Sequence, residues 1–98
     1  MRIEAILIHE KDNVAVALRD IHENEEIVIG KENGHFRMRV SEAIPFGHKF
    51  AVRSLEKDET IIKYGEVIGR TTVAIPLGAH AHIHNIESLR GRGDLKEN

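Results

Sequence analysis

Short segments of alternating apolar residues, each closed by a turn, run almost the length of this chain and leave a helix little room. "RIEAILIH", "NVAVAL", "EEIVI", "HFRMRV", "KFAVR", "ETIIKY", "EVIGRTTVAI" and "HAHIH" are rich in Val and Ile and broken by Gly, Asn, Asp and Pro. Period two over so few residues is the signature of strands with one face in a core. Only Ser41–Ile44 leaves space for a single helical turn. Asn33-Gly34 between two such segments predicts a hairpin, because both residue types tolerate positive φ. In "HFRMRV", Phe36, Met38 and Val40 should face the core while His35, Arg37 and Arg39 face water. The expectation is a small, mainly β domain with little helix.

A faint repeat lies over this pattern. "ALRDIHENEEIVI" from Ala17 aligns with "AVRSLEKDETIIK" from Ala51 at an offset of 34 residues. Each copy carries a strand end, an Arg, an apolar residue, a turn at Asn24 or Asp58, a Glu and another apolar strand. Asn and Asp at that place suit a left-handed turn. Two copies are too few for a solenoid, so a pseudo-symmetric pair of β-units sharing one core is expected.

A chain of 98 residues makes one domain that buries roughly 60–70% of its unfolded surface. No deep enclosed active site fits in it. The domain should span residues 1–90, with 91–98 a flexible C-terminal tail, since "RGRGDLKEN" is polar and lacks any strand pattern. Its RGD triplet reads as incidental. The net charge is -2 and the basic residues are scattered, without the stripe that nucleic-acid binding needs. No apolar run is long enough for a membrane span. "MRIEAILIHE" lacks the features of a signal peptide, and the chain has no cysteine. The cytoplasm is the expected compartment.

Four stretches could carry chemistry. In "GAHAHIHN", His80, His82 and His84 alternate, so a strand would set them on one face about 6.5–7 Å apart. Metal–nitrogen bonds are about 2.0–2.1 Å. Neighbouring imidazoles can therefore share an ion, but all three need a twist or bend. The same spacing also suits an exposed polar edge strand. In "IPFGHKFAV", His48 and Lys49 follow a Gly turn and could meet an anion. They equally suit a plain strand start. In "HEKDNVAVAL", His9, Asp12 and Asn13 cluster at a loop, where Asp and Asn commonly bond their own backbone. In "IIKYGEVIG", Tyr64 brings a hydroxyl before Gly65, although a Tyr there is more often packing. No nucleophile elbow or phosphate-cradling glycine loop is visible.

Taken together, "DNVAVALRDI", "IPFGHKFAVRSLEKDETIIKYGEVIG" and "TTVAIPLGAHAHIHNIESLRGRGD" resemble the small N-terminal region of altronate dehydratases. Galactarate dehydratase and sulfolactate sulfo-lyase are related to these enzymes. The resemblance runs from Ile3 to about Asp94. Asn24 stands where the family usually has Gly, which keeps the turn. The resemblance implies a compact SAF-like β-clip and a part in sugar-acid dehydration, typically altronate to 2-keto-3-deoxygluconate. It also implies a divalent metal, usually iron, with Mn²⁺ or Zn²⁺ as alternatives.

It further implies a small subunit that is inactive alone and works with a large catalytic subunit, with room for self-association. The site residues it suggests are His9 and His48 in catalysis, and His80, His82 and His84 on metal. Asp12, Asn13, Lys49, Tyr64 and Asn85 would contact substrate, Lys49 holding a carboxylate. His22 and His35 lie outside the motifs and read as surface. A sulfolactate sulfo-lyase subunit and a non-catalytic carbohydrate- or metal-binding β-clip are the alternative readings.

Overall fold

The alternating segments become nine short strands in two sheets. The structure is a computed structural model and describes residues 1–89; the expected tail at 91–98 lies outside them. The strands are β1 (Ala5–Ile6), β2 (Val14–Ala17), β3 (Glu26–Lys31), β4 (Gly34–Arg39), β5 (Lys49–Ala51), β6 (Thr60–Lys63), β7 (Glu66–Thr71), β8 (His80–Ala81) and β9 (Ile86–Ser88). One sheet has the order β4-β3-β1-β2-β5-β8 and the other β6-β7-β9. All neighbours are antiparallel except β1 and β3. This is the compact all-β fold expected of a small SAF domain. Among the described residues there is no helix, and so none long and apolar enough to cross a membrane. Ser41–Ile44 does not form its helical turn, because Ile44 instead exchanges backbone hydrogen bonds with Ile21.

Two hairpins close on different chemistry. β3 and β4 pair down to Lys31 and Gly34, and Gly34, with φ 139°, takes the positive angle there. Phe36, Met38 and Val40 turn inward and His35, Arg37 and Arg39 outward, as the alternation requires. The β6–β7 hairpin turns through Tyr64 and Gly65, both left-handed at φ 59° and 76°. Two left-handed residues match the right-handed twist of the flanking strands. An aromatic residue there is strained and needs support from its surroundings.

The repeat is real, and longer than the aligned segments. Asn24 and Asp58 share left-handed φ values of 66° and 68°. Arg19 grips Glu25, whose carboxylate accepts the His22 N–H; Arg53 grips Glu59, whose carboxylate accepts the Glu56 N–H. Ile21 bridges to Ile44 as Leu55 bridges to Ile75. "AIPFG" and "AIPLG" then make the same turn. Gly47 and Gly78 stand at φ 83° and 82°, and the next N–H donates to the Pro45 or Pro76 carbonyl. Such a turn needs positive φ at its third residue, which Gly supplies.

Each repeat has its own apolar cluster, in place of the single shared core expected from the sequence. Ile21, Ile27, Ile29, Val40, Ile44 and Phe50 fill the first; Leu55, Ile61, Ile75, Ala79 and Ala81 fill the second. β2 and β5 form the wall between them. Ala15, Ala17 and Phe50 face one cluster while Val14 and Ala51 face the other, because successive residues on a strand point to opposite sides. The residues flanking this wall are where the candidate site forms.

Candidate functional site

The histidine ladder is not one strand. β8 ends at Ala81, and residues 82–85 fold into a tight turn in which Asn85 N and Ile86 N donate to the His82 carbonyl at 3.0 and 2.9 Å. Asn85 locks the turn from both ends. Its Oδ1 accepts the His82 N–H at 2.8 Å and its Nδ2 donates to the His80 carbonyl at 2.9 Å. The bend that three imidazoles would need is therefore present, but it carries His84 outward.

The third imidazole comes from the neighbouring strand. β5 pairs with β8 through Lys49↔Ala81 and Phe50↔His80, a register that brings His48 against His82. Their rings stack with centroids 4.2 Å apart. His48 Nδ1 lies 2.8 Å from His80 Nε2, within hydrogen-bond distance, with the donor set by the two tautomers. The ligand atoms of His48, His80 and His82 all lie within 4.8 Å of one another, and all three residues are half-buried. His84 is exposed, with its ring tilted 5.3 Å from that of His80.

Electrostatics disfavours the charged form of His80 and of His82. Burial first, then repulsion from His48, His84 and His82, holds His80 below the ordinary histidine value, against a smaller opposing pull from Glu42. His82 is lowered by burial, then by His48, Lys49 and His84. A neutral imidazole offers a free lone pair. Beside them Lys49, His82, Ile68, Ile83, Ile86 and Ser88 line an open cleft of about 260 Å³. The Lys49 ammonium is pushed below its usual value by burial and then by Lys63. A partly dehydrated cation next to imidazoles suits an anionic group.

The remaining sequence candidates form a second knot. Asp12 and Asn13 were expected to close their own loop, and Asp12 does accept the His9 N–H at 3.0 Å. Most of their bonds reach much further. Asp12 also accepts from Tyr64 N at 3.0 Å and Gly65 N at 2.8 Å, which supplies the support that the left-handed Tyr64 requires. Asn13 donates to Thr60 O and accepts from Ile62 N, both at 2.9 Å. The Tyr64 side chain is exposed, with Lys63 Nζ 4.8 Å from its ring centroid. His9 packs on Gly65, where an added Cβ would sit 2.9 Å from the ring. Its Nδ1 accepts the Lys11 N–H, so in the neutral ring the proton is on Nε2.

The structure thus brings His48, Lys49, His80 and His82 together, with His84 at the margin. It joins His9, Asp12 and Tyr64 separately, and uses Asp12, Asn13 and Asn85 in backbone bonds. His22 and His35 are exposed. Sequence reasoning missed the apolar side of the cleft, Ile68, Ile83 and Ile86. The isoleucine inside "HAHIHN" was the available signal, since the alternation would have buried it.

Known proteins are similar to this chain in sequence. The chain is 36% identical to the (2R)-sulfolactate sulfo-lyase subunit alpha of Chromohalobacter salexigens, over 92% of this chain and 99% of that one. It is 40% identical to the altronate dehydratase of Escherichia coli and 37% identical to that of Bacillus subtilis, over 85% of this chain in both cases. It spans only 16% of each of those longer proteins. Residues 3–89 match the altronate/galactarate dehydratase SAF domain. The chain belongs to that family.

Proposed function

We propose that this chain is the small subunit of a metal-dependent lyase acting on a sugar acid, with altronate to 2-keto-3-deoxygluconate as the expected reaction and a large subunit completing the site. The observation that carries this reading is the convergence of His48, His80 and His82 beside Lys49 in an open cleft. The likeness to altronate dehydratases over 85% of the chain supports the substrate. A second reading, sulfolactate as substrate, is favoured by the sulfo-lyase subunit whose length this chain matches almost end to end.

Both readings ask for the same opening step. A proton leaves the carbon beside the carboxylate, a group leaves the next carbon, and the resulting enol becomes a 2-keto acid. Only the leaving group differs, water in one case and sulfite in the other. Lys49, which lines the cleft, would hold the substrate carboxylate. His9, with its Nε2–H free of the Lys11 contact, is suited to donate toward an oxygen that gains charge, and the Tyr64 hydroxyl is exposed on the turn against which His9 packs. Asp12 and Asn13 hold that turn in place.

The imidazole cluster fits a divalent ion. With bonds of about 2.1 Å, two nitrogens at a right angle around a metal stand about 3.0 Å apart, and at a tetrahedral angle about 3.4 Å. The 2.8 Å between His48 Nδ1 and His80 Nε2 is close to the first value, so this pair would hold an ion, iron by preference, with little movement, and His82, within 4.8 Å of both, would close in as the third ligand. Such an ion would supply Lewis-acid stabilisation of charge on a substrate oxygen.

The test is to purify this chain alone and together with the large lyase chain of the same genome, and to assay altronate, galactarate and sulfolactate with ferrous iron. Turnover of altronate by the pair, and none by either chain alone, is the expected result. Turnover of sulfolactate instead would replace the first reading by the second. Full activity of this chain alone would contradict both.

A further inference from the structure

We infer that the turn at residues 82–85, with Ile83 at its tip, is the docking point of the large subunit, and that docking closes the imidazole cluster. The inference rests on the small-subunit reading. Ile83 is 85% exposed, more than any other large apolar side chain among the described residues. The fold buries little of it, yet the turn that presents it is held by hydrogen bonds at both ends. Asn85 binds both the His82 N–H and the His80 carbonyl, and the Asn85 carbonyl accepts Thr72 N–H at 2.9 Å, tying the turn to the end of β7. An isoleucine held outward on a fixed tip resembles the apolar anchors that fill pockets at protein interfaces.

Three observations select the occupant. First, the matched region is 16% of the single-chain altronate dehydratases, so in those enzymes a much larger body is joined to this domain. Second, the cluster offers three nitrogens, one fewer than a closed four-ligand site, and the acid beside it, Glu42, accepts the backbone N–H of His80. Third, Lys49 is a half-buried cation lining the cleft, which favours a partner surface carrying carboxylates. The large subunit would receive Ile83 in an apolar socket, with Ile68 and Ile86 as the floor beside it, and bring acidic groups over His48, His80 and His82.

The experiment compares the binding of the wild-type chain, Ile83→Ser, Ile83→Leu and Leu18→Ser to the immobilised large lyase chain of the same genome. Leu18 is an exposed apolar residue of the first repeat, at 44%. Ile83→Ser should weaken binding about tenfold or more, while Ile83→Leu and Leu18→Ser stay near wild type and Co²⁺ uptake by the isolated Ile83→Ser chain is unchanged. Equal affinity of Ile83→Ser and wild type would overturn the inference while leaving the small-subunit reading intact. So would sedimentation showing a dimer of this chain that Ile83→Ser dissociates. A wild-type chain that does not bind the large chain at all would overturn the small-subunit reading, and this inference with it.

Discussion

The two repeats build the same scaffold and differ in what they hang on it. Both run strand, arginine clamp, left-handed Asn or Asp, glutamate, strand, and then the Ile-Pro-x-Gly turn. After that turn they part. The first continues with His48-Lys49-Phe50 and the second with Ala79-His80-Ala81-His82. Because β5 and β8 pair with each other, these unlike continuations face one another. Neither repeat alone could assemble three imidazoles; the site belongs to their seam.

The neighbours of equivalent residues differ as well, and that makes the comparison breakable. An added Cβ at Gly78 would lie 2.8 Å from Arg39 O, 2.9 Å from Ser41 N and 3.0 Å from Val40 Cα, whereas at Gly47 nothing lies within 4 Å. Both substitutions to Ala carry the left-handed strain, but only Gly78→Ala also forces backbone apart. Denaturant unfolding should show a loss on the order of 4 kcal/mol for Gly78→Ala and about 1 kcal/mol for Gly47→Ala. Equal losses would mean that the second turn is not wedged against β4's end.

A smaller gap is expected between two residues that do a similar job. Asp12 and Asn85 each accept the N–H of the residue three positions back, from His9 and His82. Asp12 in addition carries both N–H groups of the Tyr64-Gly65 turn. Leaving buried donors without acceptors costs about 1–3 kcal/mol, so Asp12→Ala should lose roughly 3 kcal/mol and Asn85→Ala about 2. Asn85→Ala should also loosen the imidazole cluster, visible as histidine ring NMR lines that broaden. Asp12→Ala should leave those lines sharp, and the reverse pattern would contradict the division between the two knots.

The smallest difference lies in the arginine clamps. Arg19 holds both Glu4 and Glu25, while Arg53 holds Glu59 and is itself 55% exposed. The Glu25 carboxyl, ordinarily near 4.5, is pulled down to about 2, first by Arg19 and then by the His22 N–H. A carboxyl lowered in the folded state stabilises it above its unfolded value and loses that contribution as pH falls through the folded one. Glu25→Gln should therefore cost about 1 kcal/mol at pH 7, and Glu59→Gln less, because solvent screens its partner. Thermal melts should show the Glu25→Gln deficit shrinking as pH falls from 4.5 toward 2. A deficit independent of pH would assign the effect to packing instead.

Much of this was legible in the sequence. The alternation in "HFRMRV" fixed its burial pattern, and the 34-residue offset aligned the Arg and Glu of each copy, whose pairing only the structure shows. The second part of the duplication, "AIPFG" against "AIPLG", is equally visible in the sequence but stands at an offset of 31 rather than 34 residues. The bonds of Asp12 and Asn13 could not be read locally. They run to residues about fifty positions away, and only strand pairing brings those together. The ladder failed as a strand for a related reason. Asn85 ends β8 by capturing His82 N–H, so alternation stops before His84, and the register with β5 supplies His48 in its place.

The most direct test of this account is the titration of the isolated chain with Co²⁺, followed by calorimetry and visible absorption, for wild type, His48→Ala, His80→Ala, His82→Ala and His84→Ala. The account predicts one site per chain, weakened on the order of a hundredfold by loss of His48, His80 or His82 and changed little by loss of His84. A site that survives His48→Ala and disappears with His84→Ala would contradict it.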